Sequence, residues 1–459
     1  MTDREGVKEI PIHKKYLTTC IVLALMLCLA QIMGNTLLIL ACLAFYLVLA
    51  AWCCSCNFTL PILLFFLPWS PLLKMNPTGY SFYTFAMVLI CLISIVKKRF
   101  YFRNYQLKAG ILILFITLFS KMLDGSFLAF NYIAFIMMIV LFPGVKEEWR
   151  DKKYDFYQIV CFFAVGVIIA SLCALFFAEF ANIRKYIKVD GFATIIRRSG
   201  FYGDANFYTA HILSALGGAL TLILQEKKKS RMVFLGIVIV FLLYCGFLSA
   251  SKSFAIVAAC AFLFWIMALL TIRGRAGLKV TLIAFLIIGI VYIATSALFS
   301  GLIEVLIMRF SFTKDLDTFT TGRIGLWGNY IKELLGNAKV FFLGKGFTDV
   351  KVNGRASHNT IIQIFFQFGL LGAPILIYWS ICFFREARNI QKEEKKFDLK
   401  KIIVVIGSFL PWMAIDVLFA DEFFLLQWYM LVAINYLRAN DDVTQAETGS
   451  YGGELWTRE

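Results

Sequence analysis

The sequence predicts an all-α polytopic membrane protein with about 12–14 transmembrane helices and one long external loop that contains an amphipathic helix. Of the 459 residues, 60% are hydrophobic and only 16% are charged, whereas an average soluble domain carries about a quarter charged residues. The 47 phenylalanines supply more apolar surface than polar loops can solvate in a water-soluble globule. Apolar runs of about 20 residues, long enough to cross a bilayer, recur along the chain.

These runs follow one another closely through the first two thirds of the chain and return after residue 357. Pro61, Pro68 and Pro71 interrupt the third run, and several of the early runs are short. The candidate spans are 16–33, 35–52, 57–73, 80–96, 107–122, 126–142, 156–180, 205–224, 232–249, 254–272, 278–299, 358–384, 402–420 and 423–438.

Basic residues concentrate in alternate turns between these spans, and basic loops mark the cytoplasmic face of a membrane protein. With the N-terminus inside, the cytoplasmic turns include residues 97–108, 146–153, 227–231, 273–279 and 385–401. Because these are the densest short basic runs in the chain, the positive-inside rule agrees with the order of the spans. The net charge of +16 is therefore interpreted as membrane topology, and no nucleic-acid partner is expected. Both termini are predicted to be cytoplasmic.

The spans divide the chain into regions with different predicted roles. These are a transmembrane bundle over 1–299 with an external loop at about 181–204, a long external loop over 300–357, C-terminal transmembrane helices over 358–438 and a cytoplasmic tail over 439–459.

The long external loop is expected to be folded, since long loops in compact proteins are usually functional or disordered and this one is rich in aromatic residues and turn glycines. Its apolar residues have helical spacing, at positions Leu326, Tyr330, Ile331, Leu334 and Leu335. The spacing predicts an amphipathic helix over about 322–336 that lies on or near the outer membrane surface.

The external segments are rich in cations, against the positive-inside trend. They carry Arg184, Lys185, Lys188, Arg197, Arg198, Lys252, Arg309, Lys314, Arg323, Lys332, Lys339, Lys345, Lys351 and Arg355. The guanidinium group of arginine suits phosphate and pyrophosphate because its donors form a planar fork. Alternatively, individual side chains among them reach towards lipid headgroups.

His358 lies where the long loop meets the next predicted helix. Histidine can act as a base near neutral pH, and a position at the membrane interface beside a basic loop favours such a role. A lone histidine can equally be structural, and that alternative stays open.

Five short motifs, taken in order, resemble those of the superfamily of O-antigen polymerases and O-antigen ligases. They are RSGFYGDAN at 198–206, LSASKS at 248–253, TGR with a later tryptophan at 321–327, GKGF at 344–347 followed by His358-Asn359, and FGLLG at 368–372. Lys252 stands where the family's serine-rich turn usually carries an arginine. The resemblance covers about residues 197–380, and the N-terminal third contributes only hydropathy.

The resemblance implies a glycosyltransferase of the bacterial cytoplasmic membrane whose donor is a glycan on undecaprenyl pyrophosphate. We expect it to polymerise repeat units into O-antigen, capsular polysaccharide or exopolysaccharide on the external face. By analogy with the family, a flippase and a chain-length regulator are further expected partners. Clustered cations can neutralise a leaving pyrophosphate, so no metal or other cofactor is needed.

The resemblance also implies roles for individual residues. Arg198 and Arg323 would act on the pyrophosphate together with Lys252, and His358 would orient or deprotonate the acceptor hydroxyl. Asp204 and Asn206 would hold the loop together or touch sugar, with helix capping as the alternative. The residues expected to bind substrate are Lys252, Arg197, Asp204, Asn206, Arg355 and Asn359.

Two other functions remain open at this point. A ligase would share the motifs but pass the finished glycan to another acceptor. A flippase or other transporter belongs to a different class, which usually shows internal repeats and ionisable residues inside the bundle. No convincing repeat is present, and the few candidate intramembrane ions are Lys121, Asp124, Glu179 and Asp416.

Overall fold

The structure, a computed structural model, is described for most of the chain. The described residues are 14–100, 103–126, 136, 138–145, 156–186, 190–192, 195–226, 228–271, 296–311, 315–346, 351–388, 399–418 and 420–434.

The protein is an all-α polytopic membrane protein, as predicted. Within the described residues, eight helices are long and apolar enough to cross a membrane and three shorter apolar helices accompany them. In chain order the helices are α1 (Lys14–Met33), α2 (Thr36–Ser55), α3 (Thr59–Phe66), α4 (Phe82–Val96), α5 (Asn104–Leu123), α6 (Phe156–Phe176), α7 (Ala181–Arg184), α8 (Ala205–Gln225), α9 (Lys229–Leu248), α10 (Lys252–Thr271), α11 (Ser296–Ser311), α12 (Leu316–Phe319), α13 (Arg323–Gly336), α14 (Ala338–Leu343), α15 (Thr360–Arg388), α16 (Leu399–Phe409) and α17 (Glu422–Ile434). One antiparallel hairpin pairs β1 (Asp190–Phe192) with β2 (Ile195–Arg197).

Proline shortens two of the predicted spans. The span predicted at 57–73 is helical only in α3, which passes into a 3₁₀ turn over Leu67–Trp69. The span predicted at 402–420 ends as an α-helix with α16 and continues as a 3₁₀ turn over Leu410–Ala414. Each turn contains a proline in its first positions, where the missing N–H cannot continue an α-helical ladder. The predicted spans at 126–142 and 278–299 lie largely outside the described residues.

The helices alternate in direction between two ends of one bundle. At one end, Arg231 lies 4.8 Å from the ring centre of Tyr157, and the Tyr16 and Phe58 rings stack at 5.3 Å. At the other end, the Tyr186 hydroxyl donates to the Gln31 side chain at 3.1 Å. The basic turn before α9 and the lysines at the start of α1 therefore share the first end, which we call the basic end.

The centre of the bundle is α8. In this helix 89% of the apolar stretch is buried, compared with 28% in the neighbouring α9. Its close partner is α16, and glycine makes the approach possible: a Cβ added at Gly407 would lie 2.4 Å from the Leu213 carbonyl oxygen. Around this centre, large apolar side chains on the outer helices face outward, such as Leu37 and Val96, which are 78% and 82% exposed. Such a surface suits lipid and not water.

The predicted amphipathic helix at 322–336 corresponds to α13. Leu326 and Tyr330 are buried on one side, where the Tyr330 ring meets Phe366 of α15 at 4.8 Å. Ile331 and Leu335 remain 48% and 64% exposed. The helix thus packs one apolar face on the bundle and leaves a second one uncovered.

Candidate functional site

The first wall of the site is the loop that leads into α8. Asp204 precedes the helix in an extended conformation, and its carboxylate accepts hydrogen bonds from the N–H groups of Asn206 at 2.7 Å and Phe207 at 3.3 Å. This is helix capping, which the sequence analysis had kept as an alternative role. Asp204 is nevertheless half-buried and also lines the cavity described below.

The serine-rich turn between α9 and α10 lies directly against this loop. The hydroxyls of Ser251 and Ser253 donate to the Asn206 side-chain oxygen at 3.1 and 3.2 Å. Ala250 turns the chain with a φ of +47°, a conformation that non-glycine residues seldom adopt. Asn206 therefore holds two loops together, and the turn directs Lys252 towards the cavity.

The third wall comes from the long loop. Thr321 and Gly322 both have positive φ, and this turn starts α13 at Arg323. The Asp317 carboxylate accepts from the Gly325 N–H at 2.8 Å, which braces the turn. The Trp327 indole N–H then donates to the Ser357 carbonyl at 3.0 Å, so the two halves of the loop are joined beside His358.

His358 is held by a carboxylate that binds its backbone. Asp416 accepts from the Ser357 hydroxyl and from the N–H groups of His358 at 2.7 Å and Asn359 at 3.3 Å. With this support His358 adopts a φ of +49°. Such strained positions persist only where their surroundings fix them, and they cluster at functional sites. The imidazole ring is left half-buried, facing the cavity.

These segments enclose one cavity of about 300 Å³, which we call the cleft. It is formed by four parts of the chain that are far apart in sequence. Its lining residues are Arg197, Asp204, Asn206, Ser251, Lys252, Ser253, Ile256, Arg309, Phe319, Thr320, Thr321, Arg323, Trp327, Arg355 and His358.

The structure brings together seven of the nine residues that the sequence analysis selected. Arg198 and Asn359 are the two exceptions. Arg198 follows the extended strand β2, where successive side chains point to opposite faces, so its neighbour Arg197 takes the place in the cleft. Asn359 is buried and caps α15, since its side-chain oxygen accepts from the N–H groups of Ile361 and Ile362 at 3.0 and 3.2 Å.

The cleft is strongly cationic. Among the described residues, its lining contains the five cations Arg197, Lys252, Arg309, Arg323 and Arg355 and one carboxylate, that of Asp204.

Three of the cations are anchored by backbone carbonyl oxygens. Arg197 donates to Ser249 at 3.3 Å, Lys252 donates to Phe319 at 3.2 Å, and Arg309 donates to Ala250. A carbonyl fixes the position of a cation without cancelling its charge. The fold therefore positions these three cations in advance.

The pKa values reflect this crowding of charge. Burial, together with the neighbouring Arg197 and Arg323, lowers the pKa of the Arg309 guanidinium to about 10. Burial also lowers the pKa of Arg323, while Asp204 acts in the opposite direction. For His358, burial lowers the pKa below its usual value, and the opposing carboxylates of Asp416 and Asp204 do not overcome it. The imidazole is therefore neutral at physiological pH and able to accept a proton.

Sequence reasoning missed two residues of the site. Arg309 was one of many loop cations, and its contact with Ala250 joins residues that are 59 positions apart. Asp416 was noted only as a candidate intramembrane ion, and it reaches His358 across 58 positions. No local pattern in the sequence marks either contact.

No protein-family model matches the chain, and no curated protein matches it significantly in sequence. The resemblance to O-antigen polymerases and ligases therefore stays a prediction that rests on short motifs.

Proposed function

We propose that the protein is a membrane glycosyltransferase that polymerises oligosaccharide repeat units carried on undecaprenyl pyrophosphate. The product would be an O-antigen, capsular polysaccharide or exopolysaccharide. The observation that best supports this is the cleft itself: five cations and one histidine converge from four separate segments. Such a site suits a reaction in which an anionic group leaves while a nearby hydroxyl gives up its proton to the histidine.

In the proposed reaction, the oxygen of the acceptor hydroxyl attacks the anomeric carbon of the donor glycan. The bond between that carbon and the pyrophosphate oxygen breaks, and the pyrophosphate leaves with the electron pair. The hydroxyl proton passes to the free imidazole of His358. Arg323, Arg197 and Arg309 stabilise the negative charge that develops on the leaving group. Lys252 contributes as a point charge, with less directional preference than an arginine.

The charge distribution supports an external cleft. The helices that start at the cleft, α8 and α15, run to the end that carries Lys228, Lys229 and Arg385. Basic loops favour the cytoplasm, so the cleft would face the outside of a bacterial cytoplasmic membrane. α1 starts and α17 ends at the basic end, which agrees with cytoplasmic termini.

The test is a reconstituted assay. Purified protein in vesicles is mixed with lipid-pyrophosphate-linked repeat units and EDTA, and the products are separated on a gel. A ladder of longer glycans that disappears in Arg323→Ala and His358→Ala would support a metal-independent polymerase. Transfer only to an added second acceptor would make the protein a ligase. Movement of the substrate across the vesicle membrane without new bonds would contradict transfer and favour a transporter.

Adjacent arginines provide a matched pair for the same assay. Arg197→Ala removes a cation from the cleft, whereas Arg198→Ala removes one that does not line it. We expect Arg197→Ala to lose about 10²-fold in kcat/KM, the typical cost of one charge-stabilising donor. Arg198→Ala should stay within about threefold of the wild type, since surface substitutions away from a site have small effects. The reverse order would contradict the structural assignment of the cleft and favour the motif-based one.

A further inference from the structure

A second cavity lies on the outer surface of the bundle, between α2 and α4. This α2–α4 groove has a volume of about 530 Å³ and an apolar lining. The lining residues are Val48, Ala51, Trp52, Ser55, Leu92, Ile93, Val96 and Lys97. At a rise of 1.5 Å per residue, the stretch from Val48 to Ser55 gives the groove a length of about 10 Å.

Polar contacts join the two helices beside the α2–α4 groove. The Cys54 thiol lies 3.9 Å from the Ile90 carbonyl oxygen and 3.8 Å from the Ser94 hydroxyl. The walls are open to the outside: Trp52 is 61% exposed and Val96 is 82% exposed. The described residues therefore leave most of these two side chains uncovered.

One end of the α2–α4 groove is cationic. α4 ends at Val96, and the exposed Lys97 and Lys98 follow at once. Arg99 donates through its guanidinium to the Asn57 side chain just beyond α2, which fixes this end of the groove. No carboxylate within the described residues forms an ion pair with Lys97 or Lys98. The ammonium groups of Lys97 and Lys98 therefore lie where the α2–α4 groove reaches the basic end of the bundle.

We propose that the α2–α4 groove binds an anionic phospholipid, with one acyl chain along the apolar walls and the headgroup phosphate on Lys97 and Lys98. The acyl chain of such a lipid matches the apolar walls of the groove, and its negative headgroup matches the lysines at the end of the groove. Basic pockets between transmembrane helices bind anionic lipid headgroups for the same reason. Trp52 has the amphipathic ring that is enriched at membrane interfaces. The groove opens at the basic end, opposite the cleft, so this proposal does not depend on the proposed function.

A second apolar groove on the same molecule can serve as a control. A second groove of about 430 Å³ lies between α1 and α2, with an equally apolar lining that contains no charged residue. Its lining residues are Thr18, Thr19, Val22, Leu23, Met26, Leu38, Ala41, Cys42 and Phe45. Because no cation lines it, this α1–α2 groove should depend less on the headgroup than the α2–α4 groove does.

The experiment uses two photoactivatable lipids with the same diazirine-labelled acyl chain, one a phosphatidylglycerol and one a phosphatidylcholine. The full-length protein is placed in nanodiscs at low ionic strength, irradiated and digested, and labelled peptides are quantified. We expect phosphatidylglycerol to label peptides of α2 and α4 about 25-fold more than phosphatidylcholine, from about fivefold per lysine. Peptides of α1 should show a clearly smaller ratio, since the lysines at the start of α1 do not line the α1–α2 groove.

Three variants sharpen the test. Lys97→Gln with Lys98→Gln should bring the ratio at α4 close to one, while Lys228→Gln with Lys229→Gln, at the same end of the bundle, should leave it unchanged. Ala51→Phe fills the groove and should reduce labelling of α4 by both lipids. Equal labelling by the two lipids in the wild type would show ordinary boundary lipid and overturn the proposal. Loss of labelling because α2 and α4 cross-link to a second copy of the chain would also overturn it.

Discussion

Two histidines in this protein meet a carboxylate in opposite ways. His211, in the middle of α8, is fully buried, and its Nε2 lies 2.9 Å from a carboxylate oxygen of the buried Glu422. His358 has its backbone N–H bound by Asp416 at 2.7 Å, and no described residue forms a hydrogen bond with its ring. One carboxylate therefore engages the imidazole, and the other engages the main chain and leaves the imidazole free.

The difference separates the packing role of His211 from the catalytic role proposed for His358. The His211 ring and the Glu422 carboxylate are both buried and hydrogen-bond to each other, so this pair has no open side for a substrate. His358 faces a cavity lined with cations and keeps a ring nitrogen available to a proton. The same residue type, each time near a carboxylate, thus packs inside the bundle in one case and lies in the cleft of the proposed reaction in the other.

The strongest prediction from this comparison concerns His358→Ala. A positioned general base contributes about 10²–10⁴-fold to a rate, so kcat for glycan elongation should fall by that amount. The fold should persist, because the backbone N–H that binds Asp416 is kept. The measurement is the rate of ladder formation beside a thermal unfolding curve in detergent. If His211→Ala were to lose kcat as strongly while unfolding at an unchanged temperature, the assignment of the two roles would be wrong.

The second prediction concerns the buried pair. Glu422→Leu leaves the buried His211 ring without its hydrogen-bond partner, and an unsatisfied buried polar group costs about 1–3 kcal/mol in the free energy of unfolding. Replacing both partners by leucine should recover most of that loss, since a hydrophobic replacement of a buried pair is often nearly neutral. Titration with a denaturing detergent would measure the free energy of unfolding of the wild type, the two single variants and the double variant. Additive losses in the double variant would show that the two residues act independently.

The third prediction concerns the planar guanidinium group of Arg323 in the cleft. Arg323→Ala should lower kcat/KM about 10²-fold, and Arg323→Lys should recover only part of it, because an ammonium cannot bind two phosphate oxygens as a planar fork does. Initial rates against donor concentration would separate kcat from KM. Full activity in Arg323→Lys would show that the cleft requires only positive charge at this position.

The sequence predicted the fold well because each membrane span is a local feature. Hydropathy depends on about 20 consecutive residues, and the predicted spans at 16–33, 156–180 and 205–224 correspond to α1, α6 and α8 within a few residues. The errors fall where proline replaces an α-helix by a 3₁₀ turn, as after α3 and α16. The helix α13 was also predictable, since its apolar residues have a regular period.

The site was predictable only in part because its contacts are not local. The motifs marked the loops that meet, yet they did not show which of two adjacent arginines faces inward. Alternation along β2 separates Arg197 from Arg198, but the choice between them depends on packing against Ser249, 52 positions away. Arg309 and Asp416 depend on equally distant partners. A sequence shows which residue types are present in a loop, whereas the fold decides which of them share a cavity.

The smallest expected effect is a shift in pH dependence that links Asp416 to His358. Burial lowers the pKa of the His358 imidazole, and Asp416 opposes this with its negative charge. The base is active when neutral, so the rate should rise with pH through a pKa below the usual value of about 6.5. Asp416→Asn removes the opposing charge, which lowers that pKa further and moves the acidic limb of the profile to lower pH. At neutral pH the variant should lose about tenfold in kcat, since a partial displacement of His358 should cost less than the roughly 10²-fold of a full 1 Å misplacement. An acidic limb that moves to higher pH instead would show that Asp416 does not act electrostatically on His358.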